Sequence, residues 1–97
     1  MNGARGETML LVGGAPKRLC PTLGALAEIE TALGCVRISE LETRLRALSA
    51  TDLMHVLAAL LRGGGETEVA GAIAAVEIAP GEAMRAVAEA FRLGLGS

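Results

Sequence analysis

The chain has 97 residues, the size of a single domain, and its 9 basic and 11 acidic residues leave a formal net charge of −2. Phosphate binding needs a basic surface, and single-stranded nucleic acid stacks on aromatic side chains, of which this chain has one Phe and no Tyr or Trp. Charge and composition therefore argue against a nucleic-acid partner, and the core is expected to consist of aliphatic side chains.

The mean hydropathy of +0.48 does not indicate a membrane span. The longest apolar run near the middle of the chain is residues 56–61, well short of the roughly 20 residues that a bilayer requires. The apolar run at residues 9–12 is too short for a signal peptide. We expect a cytoplasmic protein with no membrane partner and with reduced cysteines.

The first predicted element is a β-hairpin. Residues 7–12 and 15–20 form two short runs on either side of Gly13-Gly14, and glycine supplies the positive φ angles that a tight hairpin turn requires. Pro16 cannot donate a ladder hydrogen bond, so the second strand is expected either to lie at an edge or to be irregular at its start. Residues 1–6 are small and polar and are expected to be disordered.

The first helix is predicted to begin after the N-cap Thr22 and to end at Leu33, before Gly34. Its apolar arc consists of Leu23, Leu26, Ala27, Ile29 and Leu33. Glu30 falls inside that arc. Either it pairs with a nearby arginine, or it contacts a partner.

Two further helices have clear start signals. The run Ser39-Glu40-Leu41-Glu42 is a capping box, with Ser39 as the cap, and Ser49 begins the next helix in the same way. That next helix carries an apolar face and ends at the glycines after Arg62. The face comprises Leu53, Met54, Val56, Leu57, Leu60 and Leu61.

A weaker helix is predicted over residues 66–76, and Pro80 opens the last one. The last helix is apolar on two sides. Met84, Val87, Ala88 and Phe91 form the main stripe, and Ala83, Ala86 and Ala90 form a second strip. A domain of this size cannot easily cover both this helix and the hairpin edge, so we predict a partner surface here, although alanine can also reflect helix propensity alone.

The predicted partner-binding residues are Glu30, Ala83, Val87, Ala90 and Phe91. The fold is expected to be α+β, mostly α, with an N-terminal β-hairpin followed by four or five short helices. It forms a single domain over residues 1–97, with about 1–6 and 94–97 disordered.

No catalytic, cofactor or metal site is predicted. His55, which is the one histidine, lies opposite the leucine face, and nothing places Cys35 near it to complete a Cys35–His55–Asp52 arrangement. Cys20 and Cys35 are expected as buried thiols at either end of the first helix, about 20 Å apart and too far for a disulfide with each other. A disulfide between two chains under oxidation is the alternative. We therefore expect a protein that is not an enzyme and has no cofactor.

The order of these segments resembles a known family. The hairpin leads into Leu-Cys-Pro-Thr-Leu-Gly-Ala-Leu-Ala-Glu-Ile-Glu at residues 19–30, Leu-Ser-Ala-Thr-Asp-Leu follows at 48–53, and Leu-Leu-Arg-Gly-Gly-Gly at 60–65. This pattern, over roughly residues 7–93, is similar to the gene-transfer-agent gene-product-ten family. Its members are encoded among the tail genes of alphaproteobacterial gene transfer agents and related tailed phages.

The resemblance implies a phage-tail function with no active site. The family has been described both as a phage tail tube protein and as a phage tail assembly chaperone. We therefore predict a chaperone that binds apolar helical segments of the tape-measure protein during tail assembly. The alternative is a structural tail component, incorporated in rings in which the hairpin extends a neighbour's sheet. The implied partners are the tape-measure or another tail protein, and further copies of the chain.

Overall fold

The computed structural model describes residues 7–34 and 37–94 and contains a two-stranded antiparallel sheet followed by helices, which confirms the predicted α+β, mostly α class. The elements are β1 (Thr8–Val12), β2 (Ala15–Leu19), α1 (Leu23–Leu33), α2 (Ile38–Arg44), α3 (Ala50–Gly63), α4 (Thr67–Gly71) and α5 (Pro80–Gly94). The predicted disorder of residues 1–6 and 95–97 lies outside the described residues, whereas Gly94, included in that prediction, ends α5.

The hairpin forms as predicted. Gly13 and Gly14 have φ angles of 59° and 87°, so both occupy the left-handed region that a two-residue hairpin turn requires. The register pairs Val12 with Ala15 beside the turn. Strand alternation then directs one set of side chains into the core, and the buried members are Leu10, Val12 and Leu19.

Helix α1 is capped as predicted, but its buried face differs. The Thr22 hydroxyl accepts a hydrogen bond from the Ala25 N–H at 3.1 Å, and Gly34 ends the helix with a φ of 70°. The buried residues are Ala25, Leu26, Ile29 and Leu33. Leu23 is 80% exposed, and Ala27 is exposed as well, because the face that packs on α3 is narrower than the predicted arc.

Helix α3 lies at the centre of the molecule. Every residue from 56 to 61 is buried, because α1, α4, α5 and β2 all pack against this helix. A helical segment that is buried on all sides must be apolar on all sides, and residues 56–61 contain only Val, Leu and Ala. The Ser49 hydroxyl accepts a hydrogen bond from the Asp52 N–H at 3.0 Å and caps the helix as predicted.

Two predicted helix boundaries are corrected. Helix α2 begins at Ile38, so Ser39 lies inside it and is not the residue that precedes it. Helix α4 ends at Gly71, not at residue 76, because glycine has low helix propensity. The apolar residues of this region still pack partly buried against the core, and they are Val69, Ile73 and Val76.

A close backbone approach joins β2 to the end of α3. The Cys20 N–H donates to the Leu60 carbonyl at 3.0 Å. A Cβ on Gly63 would overlap the Cys20 carbonyl oxygen, and a Cβ on Gly64 would overlap the Arg18 carbonyl oxygen. The two glycines, predicted only as a helix stop, therefore provide the space into which the end of β2 docks.

We predict that Gly64→Ala destabilises the fold by about 1–3 kcal/mol, because backbone atoms must move apart to admit the methyl group. Gly24→Ala is the matched control: Gly24 lies in α1 with open space around it, and this change should stabilise the fold by about 0.5–1 kcal/mol. Urea unfolding followed by far-UV circular dichroism measures both. Equal free energies of unfolding for the two variants would contradict the docking role of Gly64.

Candidate functional site

The predicted partner surface on α5 belongs to the core. Ala83 is 2% exposed, Val87 1%, Ala90 0% and Phe91 6%. These side chains face β1 and α3, against which α5 packs, so the two predicted apolar strips largely form one buried face. The outward-facing members of the predicted stripe are Met84, which is 36% exposed, and Ala88. The folded chain therefore does not present those four buried residues to a partner, which corrects the prediction.

Glu30 lies on α1 and is half-buried. Across residues 7–34 and 37–94, the structure places no cationic group within ion-pair distance of its carboxylate. Glu28 on the same helix, in contrast, pairs with Arg62. Contact between Glu30 and a partner stays a prediction.

A shallow cleft of about 360 Å³ lies between α1 and α3. It is lined by Gly24, Ala27, Glu28, Thr31, Ala32, His55 and Arg62. Glu28 accepts a hydrogen bond from Arg62 Nε at 3.1 Å and a second from its terminal nitrogen. Both side chains are about 40% exposed, at 40% and 42%, so solvent screening limits this ion pair to less than about 1 kcal/mol.

The cleft does not assemble the conceivable catalytic trio. His55 is exposed on the cleft wall, while Asp52 faces Arg44 at 3.9 Å. Cys35, the third member, lies outside the described residues. Among the residues that the structure describes, no group of three His, Cys, Asp or Glu side chains could hold a metal ion. That the protein is not an enzyme stays a prediction.

Cys20 is a buried thiol, as predicted, with 1% of its surface exposed. It sits where β2 meets the end of α3, and burial there raises the pKa of the thiol, with a smaller contribution from the negative charge of Glu7. The raised pKa keeps the thiol protonated at neutral pH, and a protonated, buried thiol is a poor nucleophile. Cys20 is therefore a packing residue of the core.

The two edges of the hairpin differ in how their backbone groups are used. Along an antiparallel strand, the backbone N–H and C=O groups of one residue point towards the partner strand and those of the next residue point away from it. Arg18 N–H faces away from β1, because it donates to Glu66 Oε2 at 3.0 Å. Arg18 is paired with Met9 in the register, so the backbone N–H and C=O groups of Met9 face away from β2. Those of Leu11, two residues later on the strand, face away from β2 as well.

These outward groups on β1 form a candidate binding edge. Over residues 7–34 and 37–94, the outward N–H and C=O groups of Met9 and Leu11 have no hydrogen-bond partner. Their side chains lie on the outer face of the sheet and are 48% and 64% exposed. We call the backbone and side chains of these two residues the open edge. The sequence predicted an exposed hairpin edge and placed the second strand at an edge, but the unused outward groups lie on the first strand, because the Arg18 and Cys20 N–H groups on the second are bonded within the chain.

We predict that Val87→Asp unfolds the chain, since it places a charge that has no partner in the core. Ala88→Asp is the matched control on the same helix, because residue 88 is exposed, and it should change the free energy of unfolding by less than about 0.5 kcal/mol. Thermal unfolding measures both. A folded Val87→Asp protein would restore this face of α5 as a partner surface.

We also predict that Cys20 resists thiol reagents in the folded state. In a Cys35→Ser background, modification by a disulfide reagent should slow by at least about 100-fold relative to the urea-unfolded chain, because reaction waits for opening of the core. Release of the chromophoric thiolate measures the rate, and a Cys20→Ser, Cys35→Ser chain gives the background. Equal rates in the folded and unfolded states would contradict the buried placement.

The comparisons with known proteins address the chain as a whole. Within the described residues, no helix is both long and apolar enough to cross a membrane. No curated protein and no solved structure matches the chain. One family model does match, over residues 5–96, and its description is phage tail tube protein, GTA-gp10. That match spans nearly the whole sequence, and the chain therefore belongs to the GTA-gp10 family of phage tail tube proteins.

Proposed function

We propose that the protein is a structural component of a phage-type tail and remains in the finished particle. The observation that carries this proposal is the family match over residues 5–96, whose description names a tail tube protein. Assembly would take place in the cytoplasm of the producing cell, with other tail proteins and further copies of the chain as partners. A structural tail component is the alternative that the family resemblance implies, and the family description supports it better than a chaperone role.

The structure also removes one argument for the chaperone. The sequence suggested a surplus apolar surface on α5 that could bind apolar helical segments of the tape-measure protein. The side chains that carried that idea are buried, and Val87 and Ala90 are 1% and 0% exposed. What the hairpin offers instead is a strand edge, which suits binding to an extended segment and not to a helix. Binding of the tape-measure protein stays a prediction.

We expect quantitative mass spectrometry to find many copies of the protein in each purified particle. A symmetric tail builds repeated interfaces, so a structural component is present in a fixed ratio to the other tail proteins. The measurement compares purified particles with the lysate of the producing cells. Tagged Val87→Asp protein, which should not fold, controls for material that co-purifies without assembling.

Two outcomes would contradict this proposal. Protein that is abundant in the lysate and absent from the particles would support the assembly chaperone, which leaves once the tail is built. Particles that carry Val87→Asp protein as readily as the native chain would show that the particle-associated material is adsorbed.

A further inference from the structure

The outer side of β2 is closed to another strand. Pro16 has no N–H, the Arg18 N–H is bonded to Glu66 Oε2 at 3.0 Å, and the Cys20 N–H is bonded to the Leu60 carbonyl at 3.0 Å. The approach of Gly64 also covers the Arg18 carbonyl. A neighbouring chain therefore finds no row of available donors and acceptors on this side.

Within residues 7–34 and 37–94, nothing protects the outer side of β1 in these ways. Its sequence, Thr-Met-Leu-Leu-Val, contains no charged residue and no proline, whereas β2 carries Pro16, Lys17 and Arg18. Charges and proline are the residues that normally prevent edge-to-edge pairing. The Glu77 carbonyl accepts a hydrogen bond from the Gly13 N–H at 3.2 Å, but Gly13 belongs to the turn and lies beyond the open edge.

Because the outer side of β2 is closed and that of β1 is open, the hairpin permits one kind of strand pairing between two copies of the chain and prevents another. A ring built through the hairpin needs a head-to-tail contact, with β1 of one copy against β2 of the next. The closed side of β2 prevents that contact. The remaining contact joins the open edge of one copy to the open edge of another, and such a contact is satisfied by two copies.

We propose that the partner of the open edge is a second copy of this chain, bound through an antiparallel pair of β1 strands. With the two-fold axis at Leu10, Met9 of each copy pairs with Leu11 of the other, and each pair exchanges two backbone hydrogen bonds. The result is a four-stranded sheet with Met9 and Leu11 of both copies adjacent on its outer face. No two like charges meet in this register, because β1 is uncharged.

This interface is small, so the dimer is expected to be weak. We predict that the mass measured by sedimentation equilibrium rises from 9.9 kDa towards twice that value between about 10 µM and about 1 mM, the range in which small interfaces form and dissociate. The experiment uses the full chain and does not depend on whether the protein stays in particles. Its failure is therefore distinct from failure of the proposed tail function.

Three variants test the location of the contact. In this register Leu11→Lys places a lysine beside Met9 of the other copy and diagonally across from the second lysine, and Leu11→Pro removes an outward N–H that bonds to no other described residue. Each should weaken dimerisation at least about tenfold while the chain stays folded by circular dichroism. Leu23→Lys is the matched control, because Leu23 lies on α1 and is 80% exposed, more than any other large apolar side chain that the structure describes. It should dimerise like the native chain.

Amide hydrogen exchange gives a readout for single residues. The Leu10 amide faces β2 and should be protected at every concentration, whereas the Met9 and Leu11 amides should become protected only as the concentration rises. Three results would overturn the proposal: a monomer throughout the concentration range, a dimer that the Leu11 variants do not weaken, or an assembly larger than a dimer that they abolish.

Discussion

The docking of β2 onto the last turn of α3 is the contact on which the rest of the structure depends. A two-stranded hairpin alone is marginally stable in water, so it needs a support. Gly63 and Gly64 provide that support by letting two strand carbonyls approach the helix closely. The same contact carries the Leu60–Cys20 hydrogen bond and brings Glu66 to the backbone of β2. A strand, a helix end and the following loop are thereby held at one point.

This contact also makes the two sides of the hairpin differ in how their backbone groups are hydrogen-bonded. Backbone groups on one side bond within the chain, whereas the outward groups of Met9 and Leu11 on the other side bond to none of the residues that the structure describes. The helical core, in contrast, is closed, since α5 buries the apolar face that the sequence suggested for a partner. Among the described residues, the surface with unused backbone groups is therefore a strand edge and not a helix face.

Local features were predictable from the sequence, and features set by distant neighbours were not. The Gly13-Gly14 turn, the Thr22 and Ser49 caps and the apolar face of α3 depend on residues that are close in the chain. The burial of Phe91 and the exposure of Leu23 depend on which helices pack together. The candidate site was predicted in part, because the hairpin that carries it is visible in the sequence. Which of its two strands keeps an open edge depends on the hydrogen bond between Arg18 and Glu66, which are 48 positions apart in the chain.

That separation has a consequence for synthesis. The hairpin leaves the ribosome first, and the segment that covers β2 leaves only after Glu66 has been added. During this interval, neither α3 nor Glu66 covers the outer side of β2. The nascent hairpin therefore lacks the difference between an open β1 side and a closed β2 side that the folded protein has. A chain that must wait for such a distant contact is exposed to wrong pairing between neighbouring nascent chains on one messenger RNA. Addition of Glu66, two positions after Gly64, thus sets the earliest moment at which the newly made protein can acquire a single edge.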